Sequence, residues 1–353
     1  KKFAKLFDLQ FTIEELPKLP ELLATYGVPF VPPAAFASAE RTDYWKIPPQ
    51  CASPFQAWIP IQNGCDRFCS YCAVPYTRGR EVSRDAGEIL EEVARLVGLG
   101  YRTFTLLGQN VNSYGRDRHG ALPAFARLLD DTADLIEKSG HEALVYFTSP
   151  HPSDMNREVF EVMRDRPSVG RQVHLPLQSG DDAVLARMNR HYDLARYREI
   201  VGWIRELVPD ATLFTDIIVG FAGETDTEFE NTRRAMEEFR FDQAFVAMYS
   251  PRPGTAGSRL RDDIPDEEKN RRLHVLTEVL KTGTLARNQA FVGKRIRVLV
   301  DGLAGEGRVS ARTSGLIPVH VATGTTMPET LVGNFTDIEI TDCTIMALSG
   351  RLV

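Results

Sequence analysis

The sequence predicts an α/β protein: a partial six-unit (β/α) barrel followed by a small all-β barrel. Three observations carry this. Between 57 and 250, short apolar runs alternate with amphipathic stretches of 10 to 15 residues, the pattern of βαβ units and a parallel sheet. The units number six, too few for the usual eight-fold closure. From about 292 the composition shifts to short strands broken by glycines and turns, the pattern of a closed β module.

The elements follow in order. Five prolines between Pro29 and Pro49 exclude a regular helix or central strand, so 28–54 reads as a surface linker. "AWIPIQN" (57–63) is the first strand. Residues 85–99 place Ile89, Val93, Leu96 and Val97 at helical spacing. The second strand is 101–108, with a helix over 122–140 that ends at glycine. The third strand is 143–149, followed by a short helix at 153–165. The fourth is 171–178, with helices at 180–190 and 193–207. The fifth is 211–221, with a helix at 224–239, and the sixth is 242–250. A long polar helix, about 265–290, leads to the β module.

Composition narrows the class. The chain has 353 residues, more than one hydrophobic core usually supports, so two domains or one barrel with an appendage are expected. A hydrophobic fraction of 43% and a charged fraction of 25% are those of a soluble globular protein. No apolar run approaches the ~20 residues of a membrane span. The opening "KKFAKLFDLQ" has no signal-peptide core. Five cysteines are too few for a disulfide framework, and clustered cysteines without a secretion signal point to metal binding or catalysis in a reducing, cytoplasmic setting. The net charge of −6 argues against a nucleic-acid-coating protein, though local basic patches remain possible.

The chemistry concentrates in "NGCDRFCSYCAVPYTRGR" (63–80), where Cys65, Cys69 and Cys72 fall within eight residues. Cys51 and Cys343, each alone, read as small hydrophobes. The trio does not. Structural zinc closes with four ligands, usually in two pairs, and the nearest histidine, His119, is 47 residues past Cys72. Three thiolates on a four-iron cluster leave one iron open to a ligand.

The Cys-x3-Cys-x2-Cys spacing just after the first barrel strand resembles the radical S-adenosylmethionine (SAM) superfamily. The resemblance implies that Cys65, Cys69 and Cys72 hold a 4Fe-4S cluster, that SAM binds its open iron, and that one electron cleaves SAM to a 5′-deoxyadenosyl radical. It places Tyr71 against the adenine. Parallel-barrel sites form at the C-terminal ends of strands. Polar residues there are Gln109 and Asn110, Ser149 and His151, Gln178 and Ser179, and Arg252. Gln109, Asn110, Gln178 and Ser179 are expected to face SAM or substrate. Gly220 and Gly223 are expected to let backbone approach a ligand, and "DIIVGFAGE" resembles the adenine-side segment.

"PYTRGREVSR", "LLGQNVNSYG", "TSPHP", "HLPLQSG", "VGFAGET" and "YSPRPGT" together resemble the methylthiotransferases, over nearly all of 55–353. The first two favour the branch acting on tRNA that carries N6-isopentenyladenosine. The other branch acts on a ribosomal-protein aspartate. The resemblance implies a barrel with its bridging helix over 55–290 and a TRAM-like RNA-binding β-barrel over 291–353. Residues 1–27 are then the tail of an N-terminal domain whose own three cysteines hold a second cluster for sulfur insertion. Those cysteines are expected before Lys1; without them, SAM cleavage but no sulfur insertion is expected. An electron donor such as flavodoxin or ferredoxin is also implied. Arg67, Arg78, Arg80 and Arg84 surround the cysteine loop, where arginines suit phosphates through paired hydrogen bonds. The β module has six Lys/Arg and six Asp/Glu over 292–353, so any RNA contact there must be local.

Overall fold

The structure, a computed structural model, describes residues 8–9, 15, 18–28, 53–119, 124–305 and 307–353. Cys51 and nearly all of the expected linker lie outside the described residues. The chain divides into two units, 1–52 and 53–353. Within the first, the described residues include one short helix, α1 (Leu19–Ala24).

The second unit begins with β1 (Gln56–Pro60) and the short β2 (Gln62–Asn63), then α2 (Val74–Arg78), β3 (Val82–Ser83) and α3 (Ala86–Gly98). Asp85 caps α3 by accepting from the N–H groups of Gly87 and Glu88, and Ile89, Val93, Leu96 and Val97 are its buried stripe. Next come β4 (Thr103–Leu107), α4 (Arg116–His119), α5 (Ala124–Lys138), β5 (Leu144–Phe147) and α6 (Arg157–Asp165). β6 (Gln172–His174), α7 (Asp182–Arg187), α8 (Leu194–Leu207), β7 (Thr212–Val219), α9 (Asp226–Phe239) and β8 (Gln243–Met248) complete the α/β part. Asp181, Asp193 and Thr225 cap α7, α8 and α9, and Thr225 with Glu228 forms a reciprocal capping box.

All six expected strands are present, but not as one continuous sheet. β1-β4-β5 and β6-β7-β8 are two parallel three-stranded sheets. Between them runs a single parallel bridge, Val145 to Val169. β6 is shorter than expected for two local reasons. Pro176 has no N–H to offer a ladder, and the Arg171 N–H goes instead to Ser314 O in the C-terminal module, at 2.8 Å. Alternate residues Ala57 and Ile59, Phe104 and Leu106, and Leu213, Ile217 and Val219 are buried. Each such aliphatic side chain contributes roughly 1.5–3 kcal/mol on burial.

The 24-residue α10 (Asp266–Gln289) leads into β9 (Arg295–Leu303), β10 (Arg308–Thr313), β11 (Pro318–Ala322), β12 (Phe335–Cys343) and β13 (Leu348–Leu352). These five strands close into a barrel in the order β10-β11-β13-β12-β9. Its core is aliphatic, including Val298, Val300, Val309, Val319, Val321, Ile338, Ile340 and Leu348, with Cys343 packed against it. No helix among the described residues is long and apolar enough to cross a membrane.

Candidate cluster and cofactor site

The cysteine loop leaves β2 and returns through β3, and these two short strands pair antiparallel at its base. Gly64 makes the closure possible. Its φ is +80°, and a Cβ there would sit 2.1 Å from the carbonyl oxygen of Arg80. The Cys65 N–H bonds Gly79 O at 3.2 Å, and the Gly64 N–H donates to Gln109 Oε1 at 2.7 Å. Farther along, the Ser70 N–H bonds Met188 O at 2.9 Å and the Ser70 hydroxyl bonds Arg187 O at 2.9 Å. The loop is thus tied to the end of β4 on one side and the end of α7 on the other.

Cys65, Cys69 and Cys72 are free thiols. Burial pushes the Cys65 thiol up to about 11, with Glu81, Cys69 and Cys72 adding to it against the pull of the Arg67 N–H. Burial likewise raises Cys72. Burial thus holds Cys65 and Cys72 as thiols, and a positive centre bound beside them would draw out their thiolates. Among the described residues, no three His, Cys, Asp or Glu side chains converge as one metal ion requires. A four-iron cluster takes each thiolate on a different iron, and the residues present fit it.

Beneath the trio lies Arg190, buried and joined to several partners. Its Nη1 lies 3.3 Å from Cys69 Sγ and 3.4 Å from the Tyr71 hydroxyl. Its Nη2 donates to Pro176 O at 3.3 Å and its Nε to the Tyr192 hydroxyl at 3.2 Å. Burial opposes its charge, but Tyr192, Tyr71 and Cys69 outweigh that and hold it cationic. Tyr71 packs with Val184, Met188, Phe221, Ala222 and Tyr249.

A second network is centred on Asp154, whose side chain is 1% exposed. It accepts from Arg67 Nε at 2.8 Å, Arg116 Nη2 at 2.9 Å and Asn110 Nδ2 at 2.9 Å. The same Asn110 amide reaches Glu81 Oε1 at 3.3 Å. Asn110 Oδ1 and His151 Nε2 are buried without a hydrogen-bond partner among the described residues. Burial, then Arg190 and Arg67, hold His151 well below its usual pKa, so it is neutral. The ring's Nδ1 meets Ser153 Oγ at 2.7 Å and its edge faces Tyr192.

Backbone strain gathers here. Phe68, Ser149, Gln178 and Asn189 all have positive φ without being glycine. Gln178 is held by Asp216 O and Ile218 N, and its side-chain amide has no partner among the described residues.

The expected site residues are placed as follows. Gln109 and Asn110 brace the loop, Gln109 through the Gly64 N–H and Asn110 through Asp154. Ser179 is fully buried, its hydroxyl 3.2 Å from Thr232 on α9, because it starts the turn into α7. Gly220 does allow a close approach, but by the Lys269 stem: a Cβ would lie 2.3 Å from Lys269 Cγ. The Gly223 N–H is taken by Asp263 at 2.9 Å. Of the four loop arginines, Arg67 pairs with Asp154, Arg80 with Asp66 and Arg84 with Glu92. Arg78 and Arg252 alone among the expected arginines keep guanidinium groups without a partner among the described residues. Arg190, Asp154 and Arg116 were missed, since nothing local marks an arginine or aspartate whose partners lie tens of residues away in the sequence.

Residues 59–236 match the family model described as the radical SAM superfamily. The chain is 38% identical over 360 residues to the tRNA-2-methylthio-N(6)-dimethylallyladenosine synthase of Neisseria meningitidis serogroup A, covering 100% of this chain and 78% of that protein. It is 39% identical over 372 residues to the enzyme of the same name from Symbiobacterium thermophilum, covering 100% and 75%. Among solved structures, the radical SAM enzyme coproporphyrinogen III oxidase (HemN) of Escherichia coli overlays 90% of this chain and 75% of that one, with a TM-score of 0.49 and 13% identity.

Proposed function

The chain belongs to the radical SAM superfamily and, within it, to the tRNA-2-methylthio-N(6)-dimethylallyladenosine synthases, and from that premise we propose that it carries out the radical step in adding a methylthio group to C2 of N6-isopentenyladenosine beside the anticodon of tRNA, the sulfur coming from a second cluster that Cys51 and Cys343 alone cannot hold. The observation that carries the reading is the trio of free thiols, Cys65, Cys69 and Cys72, on one loop braced by Gln109, Arg187 and Met188.

Cys65, Cys69 and Cys72 would hold the 4Fe-4S cluster. When bound, the cluster and SAM supply the electron and the 5′-deoxyadenosyl radical that removes hydrogen from C2. The chain's own residues supply position and seclusion. Arg190 sets a fixed positive charge against Cys69. Tyr71 presents an apolar face beside the thiols, suited to the adenine. Gln178, strained and with a free amide, is placed to orient the cofactor. Asp154, Arg67 and Asn110 lock the loop from the side of β4 and β5. His151 stays neutral and adds no charge to the floor.

In this reading the two three-stranded sheets are halves of one six-unit partial barrel. The C-terminal barrel is TRAM-like and offers local RNA contacts. A flavodoxin- or ferredoxin-like donor in the cytoplasm supplies electrons.

The test follows the hydrogen. tRNA bearing N6-isopentenyladenosine with deuterium at C2 is incubated anaerobically with the iron-loaded protein, SAM and reductant. Deuterium recovered in 5′-deoxyadenosine supports the reading. Unlabelled 5′-deoxyadenosine, with a ribosomal protein modified instead, overturns it.

A further inference from the structure

The cysteine loop carries two large aromatic side chains that its cofactor chemistry does not use. Phe68 is 42% exposed and Tyr76 is 60% exposed. Their rings meet edge to face, with centroids 6.1 Å apart and planes at 78°. That arrangement leaves ring face open to an incoming flat group.

Phe68 is not loose. It sits between Arg67, locked to Asp154, and Cys69, beside Arg190. Its φ is +50°, a conformation a bulky side chain rarely adopts. Asn189, itself at φ +55°, donates its amide to Phe68 O at 2.9 Å and also reaches Arg67 O. A strained backbone, fastened by a second strained residue, therefore turns an apolar ring toward water at the rim of the site.

The charge on this loop and its neighbours is selective. Arg67, Arg80 and Arg84 are neutralised by Asp154, Asp66 and Glu92. Arg78, two residues from Tyr76 on α2, is exposed and unpaired among the described residues. So is Arg252, on a segment tied to the cysteine loop by the Gly257 N–H bond to Ser70 O. Exposed aromatic rings on a loop that also carries unpaired guanidinium groups are the recognition chemistry of unpaired nucleotides, where bases stack on the rings and the flanking phosphates reach the arginines.

We propose that Phe68 and Tyr76 form a stacking platform for an unpaired base of the RNA substrate, with Arg78 and Arg252 taking the adjoining phosphates. This rests on the RNA reading above and adds to it the residues that dock the loop. A partner protein with an acidic surface would use the arginines but has no base to stack.

The test uses an anticodon stem-loop with N6-isopentenyladenosine and 2-aminopurine at the flanking nucleotide. Affinity, its salt dependence and 2-aminopurine fluorescence are measured on the iron-loaded protein, with iron per chain as the check that the loop is folded. The double variant Phe68→Ala/Tyr76→Ala is expected to bind roughly 5- to 150-fold more weakly. It should lose the fluorescence quenching while its slope of log K against log salt stays as in the wild type. Phe68→Tyr/Tyr76→Phe should retain both affinity and quenching. Arg78→Ala should lower the salt slope by about one, since one phosphate contact is lost. If the wild type binds the stem-loop and the double alanine variant binds and quenches equally, the platform is refuted and the RNA reading survives. If the wild type does not bind, the RNA reading and the platform both fail. If the double variant loses only reduction by an acidic flavoprotein, the patch belongs to that partner and the proposal is overturned.

Discussion

Arg190 Nη1 lies 3.3 Å from Cys69 Sγ, a buried cation against one of the three thiols that mark the site. A hydrogen bond from a guanidinium stabilises the more negative state of a cluster held by that sulfur. It therefore raises the reduction potential. Arg190→Met is expected to lower the potential by roughly 60 mV, about 1.4 kcal/mol for a one-electron couple. The check is a potentiometric titration followed by electron paramagnetic resonance, with iron per chain unchanged. A variant with full iron and an unaltered potential would assign Arg190 to packing alone.

Asp154 anchors the loop from the other side. Asp154→Ala leaves Arg67, Arg116 and Asn110 without their shared acceptor. Removing one partner of a buried charge pair costs about 3–5 kcal/mol, and the lower end applies because Arg116 is 39% exposed. Urea denaturation should show that loss, together with reduced iron uptake.

Gly64 closes the base of the loop at positive φ, against the Arg80 carbonyl. Gly64→Ala adds backbone strain of about 1–3 kcal/mol to a clash with main chain, which cannot move aside as a side chain does. Reconstitution should yield little iron. The C-terminal barrel, with its own aliphatic core, should keep its folded far-ultraviolet signal.

His151 gives the protein a pH dependence. Its folded pKa is depressed below 6.5, first by burial and then by Arg190 and Arg67. In the unfolded chain the imidazole takes a proton as pH falls through about 6.5, while the folded chain refuses it. Stability from the neutral ring is therefore complete above that pH and declines below it, until the folded pKa is reached. Thermal melts between pH 7 and pH 5 should show a fall that His151→Phe flattens. Parallel slopes in both proteins would remove His151 as the cause.

The order of strands and helices was legible because each repeat writes its own period. α3 shows Ile89, Val93, Leu96 and Val97 at helical spacing behind an Asp85 cap, and β7 buries alternate residues. The break between the two sheets was not legible. It depends on the Arg171 amide turning to Ser314, 143 positions later in the sequence. The three cysteines could be read directly, since their spacing is a local property. Their supports could not. Arg190 reaches Cys69 across 121 positions and Arg67 reaches Asp154 across 87. Arg80 and Arg84 read as free cations until Asp66 and Glu92 were seen beside them. Gly220 was read as a place where a ligand comes close, and the group that comes close in the structure is Lys269.

The most direct measurement is made on anaerobically reconstituted protein given SAM and dithionite, counting iron and 5′-deoxyadenosine together. The account predicts about four irons on the Cys65, Cys69 and Cys72 trio and release of 5′-deoxyadenosine that disappears in Cys65→Ala, Cys69→Ala or Cys72→Ala. A colourless protein with stoichiometric zinc and no 5′-deoxyadenosine would contradict it.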